Sequence, residues 1–191
     1  MDRYWFFTWR TYGTWLSGDD GFVGYYRTLT GEKVSDNEVD GDFAEPIPAL
    51  AAYAARFLKS EPVLLTLEHV RILLPQFHET AQVRGWQIDA VAILATHIHL
   101  VFGVSGDPDP SKMLGDWKSY GSRSLNRRLG KSPGEWWADK GSKRPLKTEF
   151  RRWAANRYVR DQQNPLLVWL SNEAQLLLAD ESRRRNGEPR P

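Results

Sequence analysis

The run Val91-Ala92-Ile93-Leu94-Ala95-Thr96-His97-Ile98-His99-Leu100-Val101-Phe102 constrains this chain most. It is rich in branched apolar residues, and the turn-prone Ser105-Gly106-Asp107-Pro108 follows it. Both features predict a strand. On a strand, residues i and i+2 point to one face. His97 and His99 therefore stand side by side, with Ile98 and Leu100 facing the other way. Neutral imidazole is the commonest metal ligand, so the pair is a candidate grip for one cation. Only four histidines occur in the chain, and two fall in this window. Such a pair can equally be polar decoration on a wet sheet face, or hydrogen-bonded core groups. The tripeptide alone leaves these readings open.

The rest of the chain narrows them. With 191 residues, 41% hydrophobic and 13% aromatic, one folded domain with a real core is expected. The absence of cysteine excludes disulfides, thiolate metal sites and a cysteine nucleophile, and it fits a reducing compartment. No apolar run reaches the length of a membrane span. The opening Met1-Asp2-Arg3-Tyr4-Trp5-Phe6-Phe7 is too short and too polar-flanked for a signal peptide. These features predict a cytoplasmic protein.

The net charge of +2 conceals an asymmetry. Residues 111–160 hold 14 Lys and Arg against 4 Asp and Glu, a net of +10, whereas residues 1–110 hold 8 against 15, a net of −7. A block of this kind is the footprint expected for a polyanion, although many charge runs are only solvated helix faces. Trp117, Tyr120, Trp136, Trp137, Trp153 and Tyr158 lie within it. Cation and ring together suit phosphate and base.

Periodicity and punctuation predict a strand at residues 4–10, then a Gly- and Asp-rich irregular excursion over 12–47 with an exposed acidic stretch from Asp36 to Asp42. Helices are expected over 49–59 and 65–83, split near Pro62 and bent at Pro75. A strand from Trp86 to Ala92 runs into the histidine strand, with a tight turn near Ala95-Thr96. A helix is expected over 110–129, a loop at Gly130–Gly134 and a short strand at 144–147. Thr148 as N-cap and Pro165 as stop bound a helix from Thr148 to Gln163. A further helix from Glu173 frays into a disordered tail at Arg183–Pro189. The order strand, helix, strand, strand, helix, strand predicts a ferredoxin-like α+β domain. In it, an antiparallel sheet carries helices on one face, and an additional C-terminal helix follows.

That additional helix carries Tyr158 and Gln162, four apart and so one turn apart on the same face. With a pKa near 10, only about 0.1% of a free tyrosine is ionised at neutral pH. Attack on phosphorus by Tyr158 therefore needs help, which a cation held by His97 and His99 can supply. Gln162 offers a neutral oxygen ligand beside the nucleophile. A tyrosine ester conserves the phosphodiester energy and permits rejoining. Most helical tyrosines are core or stacking residues, and an amide near a helix end is commonly a surface group. The pairing with the histidines is what makes these two notable.

His97-Ile98-His99 matches the His-hydrophobic-His motif of the HUH nucleases, and Tyr158-Val159-Arg160-Asp161-Gln162 resembles the Tyr-hydrophobic-x-x-Gln helix of the single-tyrosine transposases among them. Phe7-Thr8-Trp9-Arg10-Thr11-Tyr12-Gly13-Thr14-Trp15-Leu16 resembles the first strand and loop of bacterial relatives. Over roughly residues 3–170 the chain resembles insertion-sequence-200-type transposases, close to the REP-associated tyrosine transposases. The resemblance implies a transposase domain over 1–170, followed by a C-terminal helix and tail over 171–191. It also implies a dimeric bacterial enzyme, associated with the nucleoid when bound, that needs Mg²⁺ or Mn²⁺ and acts on single-stranded or hairpin DNA. Tyr158 would attack a phosphodiester, leaving a 5′-phosphotyrosine and a free 3′-hydroxyl. His97, His99 and Gln162 would be metal ligands.

Some members place an acidic ligand three residues before the first histidine, where this chain has Leu94. Either the metal lacks that ligand, or Asp161, Asp89 or water takes its place. Lys112, Lys118, Arg123, Arg127, Arg128 and Arg157 are the candidate DNA contacts. Trp136 and Trp137 are candidates for base stacking or for the core. Three competing readings stand beside this one: a domesticated, non-catalytic DNA- or RNA-hairpin binder, a metal-dependent hydrolase without a covalent step, and Tyr120 as the nucleophile.

Overall fold

The computed structural model describes residues 1–19, 25–27, 33–35, 45–132 and 134–185. Five strands form the main sheet: β1 (Arg3–Arg10), β4 (Gln87–Ile93), β5 (His97–Val104), β6 (Ser142–Leu146) and β7 (Leu167–Leu170). A separate two-stranded ladder joins β2 (Tyr25–Arg27) to β3 (Lys33–Ser35) within the stretch expected to be irregular. The helices are α1 (Pro48–Ala55), α2 (Leu67–Arg84), α3 (Pro110–Leu129), α4 (Glu149–Arg160) and α5 (Asn172–Arg185).

The main sheet has the order β6-β1-β5-β4-β7, and every neighbouring pair is antiparallel. With α2 linking β1 to β4 and α3 linking β5 to β6, the first four strands have the expected ferredoxin-like arrangement. β1 shows why. Trp5, Phe7 and Trp9 are buried and alternate with less buried residues, the period-2 pattern of a strand with one face on a core. They meet Val70, Leu73 and Phe77 of α2 and Met113, Leu114 and Trp117 of α3 in one cluster. Pro145 lies on the edge strand β6, where a missing N–H costs no ladder bond. Gly85 closes α2 at φ +67°, the left-handed cap that favours glycine.

The β4–β5 hairpin turns at Leu94–Thr96, where Leu94 N–H donates to His97 O at 2.9 Å. α3 spans the predicted residues, with the Asp109 carboxylate accepting from Ser111 N–H. α2 runs through Pro75 as one helix. Several features differ from the sequence expectation: the β2–β3 ladder lies in the stretch expected to be irregular, and α1 ends at Ala55 rather than at residue 59. α4 ends at Arg160 rather than at Gln163, with Asp161 as its cap, and β7 was not anticipated. Leu166–Leu170 is a short apolar run behind Pro165, and five residues hold too little periodicity to announce a strand. α5 continues from β7 and buries Ala174 and Leu178. The acidic stretch 36–42 and the tail beyond Arg185 lie outside the described residues. Among the described residues, no helix is long and apolar enough to cross a membrane.

Candidate active site

α4 lies on the sheet face opposite α2 and α3. Its Ala155 and Val159 pack on Ala90, Ala92, Leu94 and Val101 in a second, smaller cluster. The small alanines let the helix sit close to the strands. A register shift between Ile88 and Ala90 marks a bulge at Asp89. Such an extra residue re-aims a side chain. Asp89 is wholly buried and accepts from Arg152 Nε at 2.5 Å, from Arg152 Nη2 at 2.8 Å and from Asn156 Nδ2 at 3.3 Å. Arg152 also donates to Glu173 of α5 at 2.6 Å and lies 3.7 Å over the Tyr4 ring. This network ties α4 to the sheet two turns before Tyr158. At the helix start, Thr148 Oγ1 accepts from Arg151 N–H.

Antiparallel partners share a face of the sheet. β1 pairs Thr8 with His99 and Arg10 with His97, so these four side chains project toward α4 together. The His97 and His99 ring centroids are 4.7 Å apart. Tyr158 stands edge-on to His99 at 5.2 Å and to Phe6 at 5.7 Å, and Phe6 stacks on His99 at 5.5 Å. Tyr158 keeps 51% of its surface exposed, whereas His99 keeps 5%. The nucleophile candidate is open to a polymer and its neighbour is not.

Both imidazoles are held at Nδ1 by a threonine: His99 by Thr8 Oγ1 at 2.7 Å and His97 by Thr96 Oγ1 at 2.9 Å. When Nδ1–H donates to the hydroxyl, Nε2 presents its lone pair, the arrangement that orients metal-ligating histidines. His99 Nε2 is buried with no hydrogen-bond partner among the described residues. Burial, aided by the charge of Arg10, pushes His97 down to about 4. Burial, aided by His97 and Arg10, pushes His99 down to about 3. Both rings are therefore neutral near pH 7, the form that binds a cation. Gln162, just past the end of α4, donates to Tyr158 O at 3.0 Å. Its amide faces His99, where it opposes the loss of proton affinity without reaching hydrogen-bond geometry at Nε2.

Two imidazoles and one amide thus converge, all neutral, and the orphaned Nε2 fits a divalent cation. Among the described residues no third His, Asp or Glu joins the pair. Neither acid considered as a substitute for Leu94 does so. Asp89 is consumed by Arg152 and Asn156, and Asp161 by Arg160 at 2.7 Å and Arg157 at 3.5 Å. Leu94 itself is buried beneath α4.

The remaining candidates divide between the two faces. Arg157 is exposed beside Tyr158. Lys112, Arg123, Arg127 and Arg128 are exposed on α3, across the sheet. Lys118 donates to Ala138 O and to Asp139 O, and burial lowers its proton affinity. It lines a groove of about 610 Å³ with Lys140, Lys143 and Trp136. Tyr120 is also on α3, where it accepts from Arg84 at 3.5 Å, on the far side from the histidines. Trp137 is buried and donates to Lys118 O, and Trp136 donates to Asn126 Oδ1 at 2.8 Å. His69 caps α2 with Thr66, and His78 meets Trp169. Sequence reasoning gave no site role to Phe6, Thr8, Arg10, Thr96 and Arg152, and considered Asp89 only as a metal ligand, where the structure instead ties it to Arg152 and Asn156. The period of β1 held the signal for the first three: Phe6, Thr8 and Arg10 alternate with the apolar residues that face α2.

No family model matches the sequence, and no curated protein matches it. Among solved structures, a REP-associated tyrosine transposase bound to a REP hairpin aligns over 81% of this chain at 13% identity and a TM-score of 0.43. The chain spans 63% of that protein's length. A candidate transposase from Deinococcus radiodurans R1 aligns over 86% of this chain and 94% of its own, at 13% identity and a TM-score of 0.42. The functional reading of the site rests on its own geometry.

Proposed function

We propose that this chain is a transposase-type single-strand DNA endonuclease and ligase that works through Tyr158. The observation that carries the reading is the edge-on contact of Tyr158 with His99, itself paired with His97, with both imidazoles held neutral and threonine-anchored. His97, His99 and Gln162 are the groups that would hold Mg²⁺ or Mn²⁺. When bound, the cation supplies charge neutralisation and orientation at a phosphodiester. The chain's own residues do the rest. The Tyr158 Oη–P bond forms and the P–O3′ bond breaks. The phenol proton is lost and the departing 3′ oxygen takes one up, so charge and atoms balance. The 5′-phosphotyrosine keeps the ester energy, and attack by a 3′-hydroxyl reverses the step. Half-exposed Tyr158 admits single-stranded or hairpin DNA. Arg157 lies beside it to meet the backbone, and the cations of α3 are available to flanking DNA. The working form is a homodimer.

A denaturing gel of the protein with a pool of labelled hairpin oligonucleotides, in Mn²⁺ or EDTA, tests this. A covalent band that needs the metal and vanishes in Tyr158→Phe is the expected result. Retention of the oligonucleotides on a native gel without any band would instead favour a non-catalytic hairpin binder. Metal-dependent cleavage without a band would favour a hydrolase.

A further inference from the structure

We propose that Arg10, laid on the Trp15 ring beside His97, is the group that grips the non-bridging oxygens of the scissile phosphodiester. This rests on the reading of Tyr158, His97, His99 and Gln162 as a phosphoryl-transfer site, and it adds a fifth side chain to it.

Three observations point there. The first is position. β1 pairs Arg10 with His97, in the same ladder that pairs Thr8 with His99, so the guanidinium projects on the site face. Its charge lowers the proton affinity of both histidines, and Tyr158 is among the groups that act on its own. The second is orientation. The guanidinium carbon sits 3.0 Å from the Trp15 ring centroid. Stacking uses the flat face of the guanidinium and leaves its N–H donors pointing outward in the plane. A fixed fork of that shape matches two oxygens of a phosphate.

The third is lack of compensation. No carboxylate of the described residues lies at ion-pair distance from Arg10. Asp19 acts on it only at longer range, and the Asp19 carboxylate is occupied by Leu16 N–H at 2.6 Å. Burial lowers Arg10 to about 10, which still leaves it a cation at neutral pH. A partly buried cation with no anionic partner among the described residues is costly, and a bound phosphodiester supplies such a charge. Arg157 differs in two respects: it is exposed and it is paired with Asp161, and its own tryptophan, Trp153, lies farther off at 5.4 Å. Donors aimed at the charge that develops on the phosphoryl oxygens act most strongly in the transition state. The expected loss is therefore larger in rate than in binding.

The test has two arms. In the Tyr158→Phe background with EDTA, binding of labelled oligothymidylate is followed against salt. Removing one phosphate contact in Arg10→Met should lower the slope of log affinity against log salt by about 0.7. In the active protein with Mn²⁺ and the hairpin pool, Arg10→Met should slow adduct formation by about 10²–10³-fold. Its Mn²⁺ affinity, read by electron paramagnetic resonance, should not weaken. Arg10→Lys keeps the charge without the fork, so it should keep the slope and recover only part of the rate.

An unchanged slope and rate in folded Arg10→Met overturn the assignment. So does a wild-type rate in Arg10→Lys, which decides the matter if Arg10→Met fails to fold. Salt-dependent binding without any adduct sinks the transesterase reading alone, and the slope then still decides Arg10. A wild-type protein that binds no oligonucleotide overturns both.

Discussion

The two faces of the main sheet are built from different materials. Under α2 and α3 the filling is large and dry: Phe7, Trp9, Phe77, Phe102 and Trp117 are fully buried and meet edge to face. Under α4 the floor is Ala90, Ala92 and Val101, and the buried groups include His99 and Asp89. Aromatic packing of the first kind contributes stability through area and interdigitation. The second face gives up such area. It gains close approach of a helix and a setting in which polar groups are held by specific partners. The first face makes the domain, and the second uses its rigidity to aim side chains. Each face also carries a basic helix with a tyrosine, and only the tyrosine of α4 meets imidazole.

The largest expected effect breaks or keeps that last contrast. Loss of a covalent nucleophile lowers rate on the order of 10⁶-fold, so Tyr158→Phe should abolish the adduct while Tyr120→Phe leaves it. An adduct that survives in Tyr158→Phe would transfer the chemistry to the other face. Tyr158 is half-exposed, so its thermal midpoint should hardly move.

Next come two volume changes that separate stability from aim. Trp117→Ala should cost about 3–5 kcal/mol in urea unfolding and leave adduct formation per folded molecule unchanged. Ala92→Leu overpacks the floor of α4, at about 1–3 kcal/mol. It should nonetheless cost more activity, since a displacement of roughly 1 Å at a reacting group can cost on the order of 10²-fold. Equal activity per folded molecule in both variants would mean that α4 does not depend on its floor.

A smaller effect is expected at Thr8, which holds His99 Nδ1. Thr8→Val should weaken Mn²⁺ binding by about 10–100-fold, the usual cost of losing a group that orients a ligand. Thr8→Ser should restore it. Unaltered Mn²⁺ affinity in Thr8→Val would remove the histidine pair from the cation site.

How much of this was legible in sequence follows the range of the interactions. The histidine pair was legible because a strand period fixes which residues share a face. The span of α3 was legible because Asp109 and Pro110 mark its start and Gly130 its end. The end of α4 was not. Asp161 draws in both Arg160 and Arg157 at the helix end, Asn164 adopts φ +51°, and neither event is implied by Pro165 further on. Gln162 keeps its place by bonding Tyr158 O instead of by continuing the helix. The β1 period showed which face Arg10 takes, but the partners of Arg10 and Asp89 were illegible for a different reason. Each matters through partners brought by strand pairing or helix docking, with Arg152 standing 63 positions after Asp89. No local pattern encodes such a pairing.

The finest test concerns the outer half of the Asp89 network, which joins the α4 face to α5. Glu173 accepts from Arg152 at 2.6 Å and from Gln87 at 2.5 Å. The Arg152 hydrogen bond is the chief reason its carboxyl is held below the usual 4.5, partly offset by burial. A carboxyl with a depressed folded-state pKa binds protons first in the unfolded chain. Its contribution is therefore complete above the ordinary carboxylate range, and it is lost as pH falls through the lower, folded value. In Glu173→Gln the neutral amide keeps an acceptor for Arg152 but has no proton to gain. Urea midpoints of wild type and variant should differ at pH 7 and converge as pH falls below about 4.5. The difference should be small, because the carboxylate is half-exposed and screened, and it should shrink in high salt. A gap that stays constant with pH would show that Glu173 acts on α4 through shape alone, leaving the buried Asp89–Arg152 pair as the whole of the electrostatic tie beneath the nucleophile helix.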